Sequence, residues 1–404
     1  MEGHYTRQTK HGKCKISIRI LDTLFMNSDL VEVLVPIPLM ERFSYLPPKN
    51  KGFPLKTGSR VLVPFGKRQL VGVIWGFGKQ EVSDKRKYKH VTEVLDQSPL
   101  LDATSLSLAE WSSRYYHYPL GEIIQYFYPP SLRKGKEAKF RESKYLELTS
   151  KGSFISVDDL ARAPSQQKLI TLLKEKKEIS LKSTQAFGIS STAINALLEK
   201  GFISRFSREL SPYKKLENKK LKSSMMLNSE QNIAVEAIKK VQGKNKTFLL
   251  DGITGSGKTE VYLQAIQDII NQGKQALILI PEIGLAPQAE ERFREYFGDR
   301  VMSFHSAKNE REKVDAWLGA SRGLVDIIIG TRSSVFLPMK NLGIIVVDEE
   351  HDLSFKQMDK FRYSARDMAL YRAKLQKIPV VLASATPSLE TLRNAHEDKY
   401  EVLK

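Results

Sequence analysis

The sequence predicts an α/β protein in which a domain built on a parallel sheet follows a small β-rich domain and a winged-helix domain. Continuous apolar runs of strand length in the C-terminal half predict the parallel sheet. Short β-rich runs punctuated by Pro and Gly predict the β-rich domain, and two short amphipathic helices before a Gly-led strand resemble a winged helix. At 404 residues the chain is long for one hydrophobic core, which agrees with several domains.

The N-terminal half divides by composition. Residues 1–28 are irregular and basic, and we expect no domain there. The β-rich domain is expected over residues 29–104, and a linking helix followed by the winged helix over residues 105–212. A lysine-rich linker over residues 213–224 leads to the last domain, residues 225–404.

Unbroken apolar runs define the last domain. They lie at Thr247–Leu250, Ala276–Ile280, Asp326–Ile329, Gly343–Val347 and Pro379–Ala383. Such runs indicate strands buried on both faces. Between the first two runs, Glu260–Asn271 shows a 3.6-residue period and stops before Gly273, which predicts a helix. Strand, helix and strand repeated in this way predict a parallel sheet covered on both sides.

Charge is distributed unevenly. Residues 1–227 contain 39 basic and 22 acidic residues, whereas residues 228–404 contain 25 and 24. The excess in the first part is typical of a segment that attracts a polyanion, although a basic solvated surface is the alternative. Six aromatic residues lie among the basic ones: Tyr115, Tyr116, Tyr118, Tyr126, Phe127 and Tyr128. They are candidates for stacking on bases, but their helical spacing favours the core for several of them.

Two further features concern the compartment. Cys14 is the only cysteine, which excludes an intramolecular disulfide and a four-thiolate zinc site. No apolar run approaches the roughly 18 residues that a membrane helix needs. We therefore expect a cytoplasmic protein without a membrane partner.

A glycine-rich loop follows the first apolar run. Residues 252–259 read Gly-Ile-Thr-Gly-Ser-Gly-Lys-Thr and fit the phosphate-binding loop pattern in full. Lys258 supplies a cation for the β- and γ-phosphates, and the Thr259 hydroxyl is a ligand for Mg²⁺. The backbone N–H groups expected to surround the phosphates of a nucleotide are those of Gly252, Thr254, Gly255, Ser256 and Gly257.

Another buried strand ends in Asp348-Glu349-Glu350-His351. Acids in this position emerge at the carboxyl edge of a parallel sheet, where ligands bind. Asp348 is expected to hold Mg²⁺, and Glu349 to polarise the attacking water. Alone, an acidic strand end is more often solvated than catalytic, but together with the loop at 252–259 it predicts an NTPase.

Other strand-end loops carry weaker signals, and ordinary loops are the alternative for each. Ser384 and Thr386, in Ser-Ala-Thr, are placed to sense the nucleotide. Two other loops have hydroxyl, N–H and guanidinium groups that could contact a phosphodiester backbone. They are residues 330–333, which include Arg332, and residues 281–283. An aromatic and basic loop suited to stacking on single-stranded bases contains Phe355, Lys356, Phe361, Arg362 and Tyr363.

In this order, the motifs of residues 225–404 resemble the first motor lobe of a superfamily 2 helicase, which is a RecA-like parallel sheet. From Val31 onward the chain is similar to the PriA family of primosomal replication-restart helicases. The resemblance is carried by Val31–Pro38, Arg42–Tyr45, Arg60–Arg68, Tyr115-Tyr116 with Pro119–Gly121, Asp251–Tyr262, Asp348–Gln357 and Ala383–Glu390.

The resemblance implies an ATP- and Mg²⁺-dependent helicase that moves 3′ to 5′ on single-stranded DNA, recognises branched fork DNA and initiates primosome assembly. It implies that Gln231 contacts adenine and that His351 couples hydrolysis to DNA. Single-stranded DNA-binding protein and other primosome proteins are the implied partners. The positions that match the capture of a 3′ DNA end are Phe43, Ser44, Gly66 and Lys89.

Two parts of the family pattern are not found in this sequence. One is the second motor lobe with its arginine, and the other is the set of paired cysteines that hold zinc. We expect an amino-terminal portion of such a protein that binds DNA and ATP. Because an arginine of this kind contributes about 10³–10⁵ in turnover, hydrolysis is expected to be impaired. A generic superfamily 2 DNA translocase and a non-catalytic basic DNA-binding protein are the alternatives.

Overall fold

The structure is a computed structural model. It describes residues 30–50, 52–79, 88–213, 226–241, 243–282, 284 and 286–404. The opening segment predicted to lack a domain, and all but the first residue of the predicted linker, lie outside the described residues. The described strands form three sheets, of five, seven and three strands. The predicted α/β class, with an antiparallel sheet domain before a parallel sheet, is confirmed.

The first sheet forms the predicted β-rich domain. Its strands are β1 (Leu30–Leu34), β2 (Phe43–Tyr45), β3 (Arg60–Phe65), β4 (Arg68–Gly78) and β5 (Glu93–Val94). They pair antiparallel in the order β2-β1-β4-β3-β5. β3 and β4 form a tight hairpin with Phe65 opposite Arg68, and Gly66 takes the left-handed conformation (φ 58°) that such a turn favours. Buried valines such as Val33 and Val61 fill one side of the sheet.

A helical linking segment follows. Its elements are α1 (Ala103–Tyr116), α2 (Leu120–Ile123), a 3₁₀ turn (Ile124–Phe127) and α3 (Pro130–Arg133). The predicted linking helix begins two residues earlier than expected, because Asp102 caps it by accepting a hydrogen bond from the Ser105 N–H. The segment packs on the last domain and shares its hydrophobic core, where the Trp317 indole N–H donates to the Phe127 carbonyl (2.7 Å).

The region predicted as a winged helix contains short helices beside a three-stranded antiparallel sheet, ordered β7-β6-β8. Its elements are β6 (Arg141–Leu148), α4 (Ser150–Ser153), a 3₁₀ turn (Asp158–Leu160), α5 (Pro164–Lys176), β7 (Glu178–Ser180), α6 (Ser183–Ala186), α7 (Ser191–Glu199) and β8 (Ile203–Leu210). A separate core that includes Leu169, Leu197 and Ile203 holds it together. Its assignment as a winged helix stays a prediction.

The last domain, called the motor lobe below, is the predicted parallel sheet with helices on both faces. Its strands pair in the order β11-β12-β10-β13-β14-β9-β15. Their bounds are β9 (Thr247–Asp251), β10 (Gln275–Leu279), β11 (Val301–Phe304), β12 (Ile327–Gly330), β13 (Leu342–Asp348), β14 (Val380–Ser384) and β15 (Glu401–Leu403). The five predicted strands are confirmed, each end within one residue of the prediction. The edge strands β11 and β15 were not predicted. β11 alternates between buried and partly exposed residues, so it has no continuous apolar run of the kind that predicted the other strands.

The helices of the motor lobe are α8 (Ser229–Lys240), α9 (Lys258–Asn271), α10 (Ala286–Phe297), α11 (Glu310–Arg322), α12 (Ala365–Gln376) and α13 (Leu389–His396). Short 3₁₀ turns lie at Gly298–Arg300, Arg332–Phe336 and Leu353–Phe355. One face of the sheet packs on α9 through Ile266 and Ile269. The other face packs on α11 and α12 through Trp317 and Met368. The carboxyl ends of the strands therefore form one edge between two helical layers.

A buried ion pair joins the first sheet to the linking segment. Arg60, at the start of β3, is 1% exposed and binds the Asp96 carboxylate through Nε and Nη2 (shortest distance 2.7 Å). Its Nη1 donates to the carbonyls of Leu132 (2.6 Å) and Lys136 (2.9 Å). All three guanidinium nitrogens thus have acceptors, which is the condition under which a buried charge is tolerated.

Replacing Asp96 by Ala should destabilise the protein by about 3–5 kcal/mol, because the Arg60 charge would stay buried without a counter-ion. Urea unfolding followed by circular dichroism measures the change. The matched control is Glu178→Ala, which breaks the bidentate but exposed pair with Arg208 and should cost much less, because solvent screens the two charges. Equal losses in the two variants would contradict the assigned role of Arg60.

Candidate nucleotide and DNA site

The phosphate-binding loop joins β9 to α9. Gly255 and Gly257 have positive φ (80° and 83°), which a residue with a side chain rarely adopts, so the loop curls back over the start of the helix. The Lys258 ammonium donates to the carbonyls of Gly252 (2.6 Å) and Ile253 (3.1 Å). A cation therefore already lies across the loop at the N-terminus of α9, where phosphates bind.

The acidic strand end lies beside this loop. The buried Tyr262 hydroxyl, one turn into α9, is 3.1 Å from Asp348 Oδ2 and 3.3 Å from Thr259 Oγ1. One hydroxyl thus connects the two predicted Mg²⁺ ligands, although β9 and β13 are separated in the sheet by β14. The sequence did not identify Tyr262 as a functional residue, because it reads as a core position of α9.

Burial shifts the pKa values of the Asp348 carboxyl and the Tyr262 hydroxyl. It raises the pKa of the Asp348 carboxyl above its usual value, and the hydrogen bond from Tyr262 partly counters this rise. Burial and the negative charge of Asp348 raise the pKa of Tyr262 well above its ordinary value, so Tyr262 is the proton donor. A carboxylate deprived of water in this way favours a nearby cation.

The three neighbouring carboxylates differ in their surroundings. Glu349 has a positive φ (48°) and is partly exposed. Glu350 is 2% exposed and accepts from the Ser388 N–H (2.7 Å), the Thr391 hydroxyl (2.9 Å) and the Arg366 guanidinium (2.7 Å). Glu350 is therefore a structural anchor, and Asp348 and Glu349 are left for chemistry.

The Ser-Ala-Thr segment contacts both motifs. His351 Nδ1 is 2.8 Å from Ser384 Oγ, and its Nε2 is 3.4 Å from Thr386 Oγ1. The backbone of the same segment meets the loop, because the Gly252 N–H donates to the Ser384 carbonyl (3.3 Å). The structure thus brings His351, Ser384 and Thr386 together at the edge that carries Asp348. Their coupling role stays a prediction.

Gln231 links helix α8 to the phosphate-binding loop. Its Oε1 accepts from the Asn228 N–H in a capping box, and its Nε2 donates to the Ser256 carbonyl (2.9 Å). A Cβ on Gly257 would lie 2.3 Å from the same Nε2, so a side chain there would displace Gln231, and the positive φ of Gly257 (83°) favours glycine in any case. The predicted contact of Gln231 with adenine is untested; the contact with the loop is what the structure shows.

The prediction for the aromatic loop was wrong for its three rings. Phe355, Phe361 and Tyr363 are at most 2% exposed and belong to the core shared with the linking segment, so they are not available to stack on bases. The sequence could not show this, because their partners, such as Tyr126, are more than 200 residues away. Lys356 and Arg362 are exposed, and their contact with DNA stays a prediction.

Arg332, predicted to help hold a phosphodiester backbone, binds backbone carbonyls of the protein itself. Its Nη1 donates to the carbonyls of Ser354 (2.8 Å) and Lys356 (2.9 Å). The guanidinium therefore fixes the backbone of the loop after the acidic motif. A DNA contact by Arg332 would have to use its other nitrogens, and it stays a prediction.

The predicted 3′-end residues gather at one end of the first sheet. The Phe43 ring packs edge-on against Phe65 (5.3 Å between centroids), beside the β3–β4 turn. Lys89 Nζ donates to the Gly66 carbonyl (3.4 Å). Ser44 lies next to Phe43 on β2, where it pairs with Glu32. We call Phe43, Ser44, Gly66 and Lys89 the 3′-end cluster; their role stays a prediction.

The observations on metals and membranes are limited to the described residues. These contain no group of three or more His, Cys, Asp or Glu side chains placed to bind a metal ion. Mg²⁺ at Thr259 and Asp348 would therefore need nucleotide oxygens as well, which is usual for this ion. None of the helices within the described ranges combines the length and apolarity required of a membrane-spanning segment.

Comparison with known proteins finds two family models that match separate parts of the chain. Residues 32–129 match the family model described as 3′DNA-binding domain, and residues 228–395 match DEAD/DEAH box helicase. The replication restart protein PriA of Haemophilus influenzae is 36% identical over 381 residues, which cover 93% of this chain and 51% of that protein. The chain belongs to the PriA family.

Other PriA relatives match the same part. Replication restart protein PriA of Bacillus subtilis is 31% identical over 430 residues, covering 89% of this chain and 53% of that protein. The replication restart protein PriA of Chlamydia trachomatis is 37% identical over 304 residues, which cover 73% of this chain and 40% of that protein. The chain spans about half the length of the Haemophilus influenzae and Bacillus subtilis proteins.

Replacing Tyr262 by Phe should weaken Mg²⁺-dependent nucleotide binding about tenfold, because Asp348 loses the hydrogen bond that orients it. Titration with a fluorescent ATP analogue, in Mg²⁺ and then in EDTA, measures the effect. The control is Tyr45→Phe, which removes a hydroxyl bonded to the Pro64 carbonyl in the first sheet. The same loss in EDTA as in Mg²⁺ would show that Tyr262 does not act through the ion.

Proposed function

We propose that this chain is the DNA- and ATP-binding part of a 3′-to-5′ DNA helicase that recognises stalled or abandoned replication forks and initiates primosome assembly. The observation that carries the proposal is the Tyr262 hydroxyl between Thr259 and Asp348. It supports a single MgATP site built from two motifs that are 89 residues apart in the sequence. The matches to a 3′DNA-binding domain and a helicase lobe support the DNA substrate.

Each residue of the site has a distinct task in ATP binding and hydrolysis. The loop N–H groups and Lys258 bind and orient the phosphates, and Thr259 and Asp348 hold Mg²⁺. Bound Mg²⁺ neutralises charge on the phosphate oxygens. Glu349, partly exposed beside Asp348, takes the proton of the attacking water. His351 couples hydrolysis to DNA binding through its contacts with Ser384 and Thr386.

The described motor residues form one parallel sheet, and helicase motors of this class complete the site with an arginine from a second lobe. We therefore propose that the chain by itself binds MgATP and hydrolyses it slowly. An arginine supplied from another lobe is worth about 10³–10⁵ in turnover. Single-stranded DNA-binding protein and other primosome proteins are the proposed partners, on the strength of the family.

Replacing Lys258 by Ala should weaken ATP binding about 10- to 150-fold, because a charge-assisted contact to phosphate is lost. Glu349→Gln should bind ATP as the wild type does and lose the residual hydrolysis. Titration with a fluorescent ATP analogue and phosphate release measure the two steps. If the wild type itself neither binds nor hydrolyses ATP, the motor lobe is not an ATPase and a non-catalytic DNA-binding protein is favoured. If the wild type does both and the two variants match it, Lys258 and Glu349 do not have the assigned roles.

Replacing Phe43 by Leu or Lys89 by Gln should abolish a preference for forks that carry a leading-strand 3′-hydroxyl over forks that end in a 3′-phosphate. Fluorescence anisotropy with the two forks measures the preference. Lys49→Gln removes one exposed charge of the same domain outside the 3′-end cluster and serves as the control. A wild-type protein that binds both forks and plain single strands equally would favour a generic translocase.

A further inference from the structure

A cavity of about 180 Å³ lies between the linking segment and the motor lobe. Tyr126, Tyr128 and Arg133 line it on one side, and Phe304, His305 and Lys313 line it on the other. Neither the ATP site nor the 3′-end cluster includes any of these residues. Cavities between domains are frequent places for ligands.

The cavity opens near the carboxyl edge of the sheet. Phe304 ends the edge strand β11, and Ser333, another lining residue, follows β12. This is the edge at which parallel sheets bind ligands and at which β13 carries Asp348. In the strand order, β11 is five strands from β9, which corresponds to roughly 24 Å from the phosphate-binding loop. The cavity is therefore separate from the ATP site.

Aromatic rings give the cavity flat and rigid walls. Tyr126 and Phe304 are partly exposed. The ring of Tyr128 stacks on Trp317 (6.2 Å between centroids, 29° between planes), whose indole N–H bonds to the Phe127 carbonyl. Cavities of about 150 Å³ lined by apolar side chains accept benzene, so this volume suits a single planar ring system.

The polar groups of the cavity favour a nucleotide over a hydrocarbon or an acidic peptide. Among the described residues that line it, the permanently charged ones are Arg133 and Lys313, both cations. Arg133 Nε donates to the Tyr128 carbonyl (2.8 Å), and Lys313 Nζ donates to the Ser306 carbonyl (2.7 Å), so both charges are held in place. Aromatic faces beside fixed cations are the usual way in which proteins bind single-stranded nucleic acid.

A hydrogen-bonding group is also available. His305 Nδ1 is buried and has no hydrogen-bond partner among the described residues. Burial and the charge of Lys308 lower the pKa of His305, so the imidazole is neutral near pH 7 and has one donor and one acceptor nitrogen. Because Nδ1 is enclosed by protein atoms, a ligand in the cavity reaches this nitrogen only when the imidazole ring turns, which would give the buried nitrogen a partner.

We propose that this cavity accepts one unstacked base of the single strand bound to the motor lobe, between Tyr126 and Phe304, with its phosphates beside Arg133 and Lys313. The proposal rests on the proposed function for the identity of the ligand. It adds a base-binding site at the edge strand, and it gives the linking segment a direct contact with DNA.

The test compares two strands with the same backbone, a 12-nucleotide oligo-dT and a 12-unit abasic strand, using fluorescence anisotropy on the full 404-residue chain. The wild type should prefer the strand with bases. Phe304→Leu should lower its affinity for oligo-dT about 5- to 150-fold and leave its affinity for the abasic strand unchanged, because only stacking is removed. Phe304→Tyr keeps the ring and should behave like the wild type.

Two further variants guard against misfolding and general charge effects. His305→Ala should also lower the preference for oligo-dT, without removing an apolar core residue. Lys313→Gln should weaken binding of both strands more than Lys308→Gln, which removes the same charge from a residue that does not line the cavity. Equal losses in the two lysine variants would show a general electrostatic effect, which contradicts the phosphate contact.

Binding of a fluorescent ATP analogue, measured on each variant, separates this proposal from the proposed function. If Phe304→Leu and His305→Ala bind oligo-dT like the wild type while ATP still binds, the base site is wrong and the motor proposal stands. If no form of the protein binds ATP while the preference for bases depends on Phe304, the motor proposal is wrong and the base site stands.

Discussion

The hydroxyl of Tyr262 holds the centre of the motor lobe together. It contacts Thr259 at the start of α9 and Asp348 at the end of β13, so it fixes the distance between the phosphate-binding loop and the acidic motif. β14 lies between their strands and adds a second connection, the hydrogen bond from the Gly252 N–H to the Ser384 carbonyl. Three segments of the sequence thus meet at one point because adjacent parallel strands end at one edge.

The acidic motif shows how neighbouring residues of the same type acquire different roles. Asp348 completes the strand, and Glu349 turns the chain with a positive φ, a conformation that is uncommon for a residue other than glycine and costs on the order of 1 kcal/mol or more. The turn sends Glu350 back into the protein, where Ser388, Thr391 and Arg366 satisfy it. The buried Glu350 holds the turn, and the turn keeps Glu349 at the surface beside Asp348.

The sequence predicted the sheet and the strand-end motifs because their signals are local. A continuous apolar run and the loop or acid that ends it lie within about ten residues of each other. The failures involve contacts between distant segments. Phe361 looks like a surface aromatic in its own loop, but Tyr116, Tyr118 and Tyr126 of the linking segment cover it. The base cavity depends on a similar distant pairing, and no local pattern indicates it.

The same aromatic contacts connect the loop after the acidic motif to the linking segment. Phe361 belongs to the loop that Arg332 fixes through the carbonyls of Ser354 and Lys356. Because a packed core is not continuously deformable, this loop cannot shift unless Tyr116 and Tyr126 of the linking segment repack with it. The linking segment is in turn tied to the first sheet by Arg60, which donates to the Leu132 and Lys136 carbonyls. The motor lobe and the domain with the 3′-end cluster are therefore joined through the linking segment by a continuous series of contacts, and Tyr126 lies both in that series and in the wall of the base cavity.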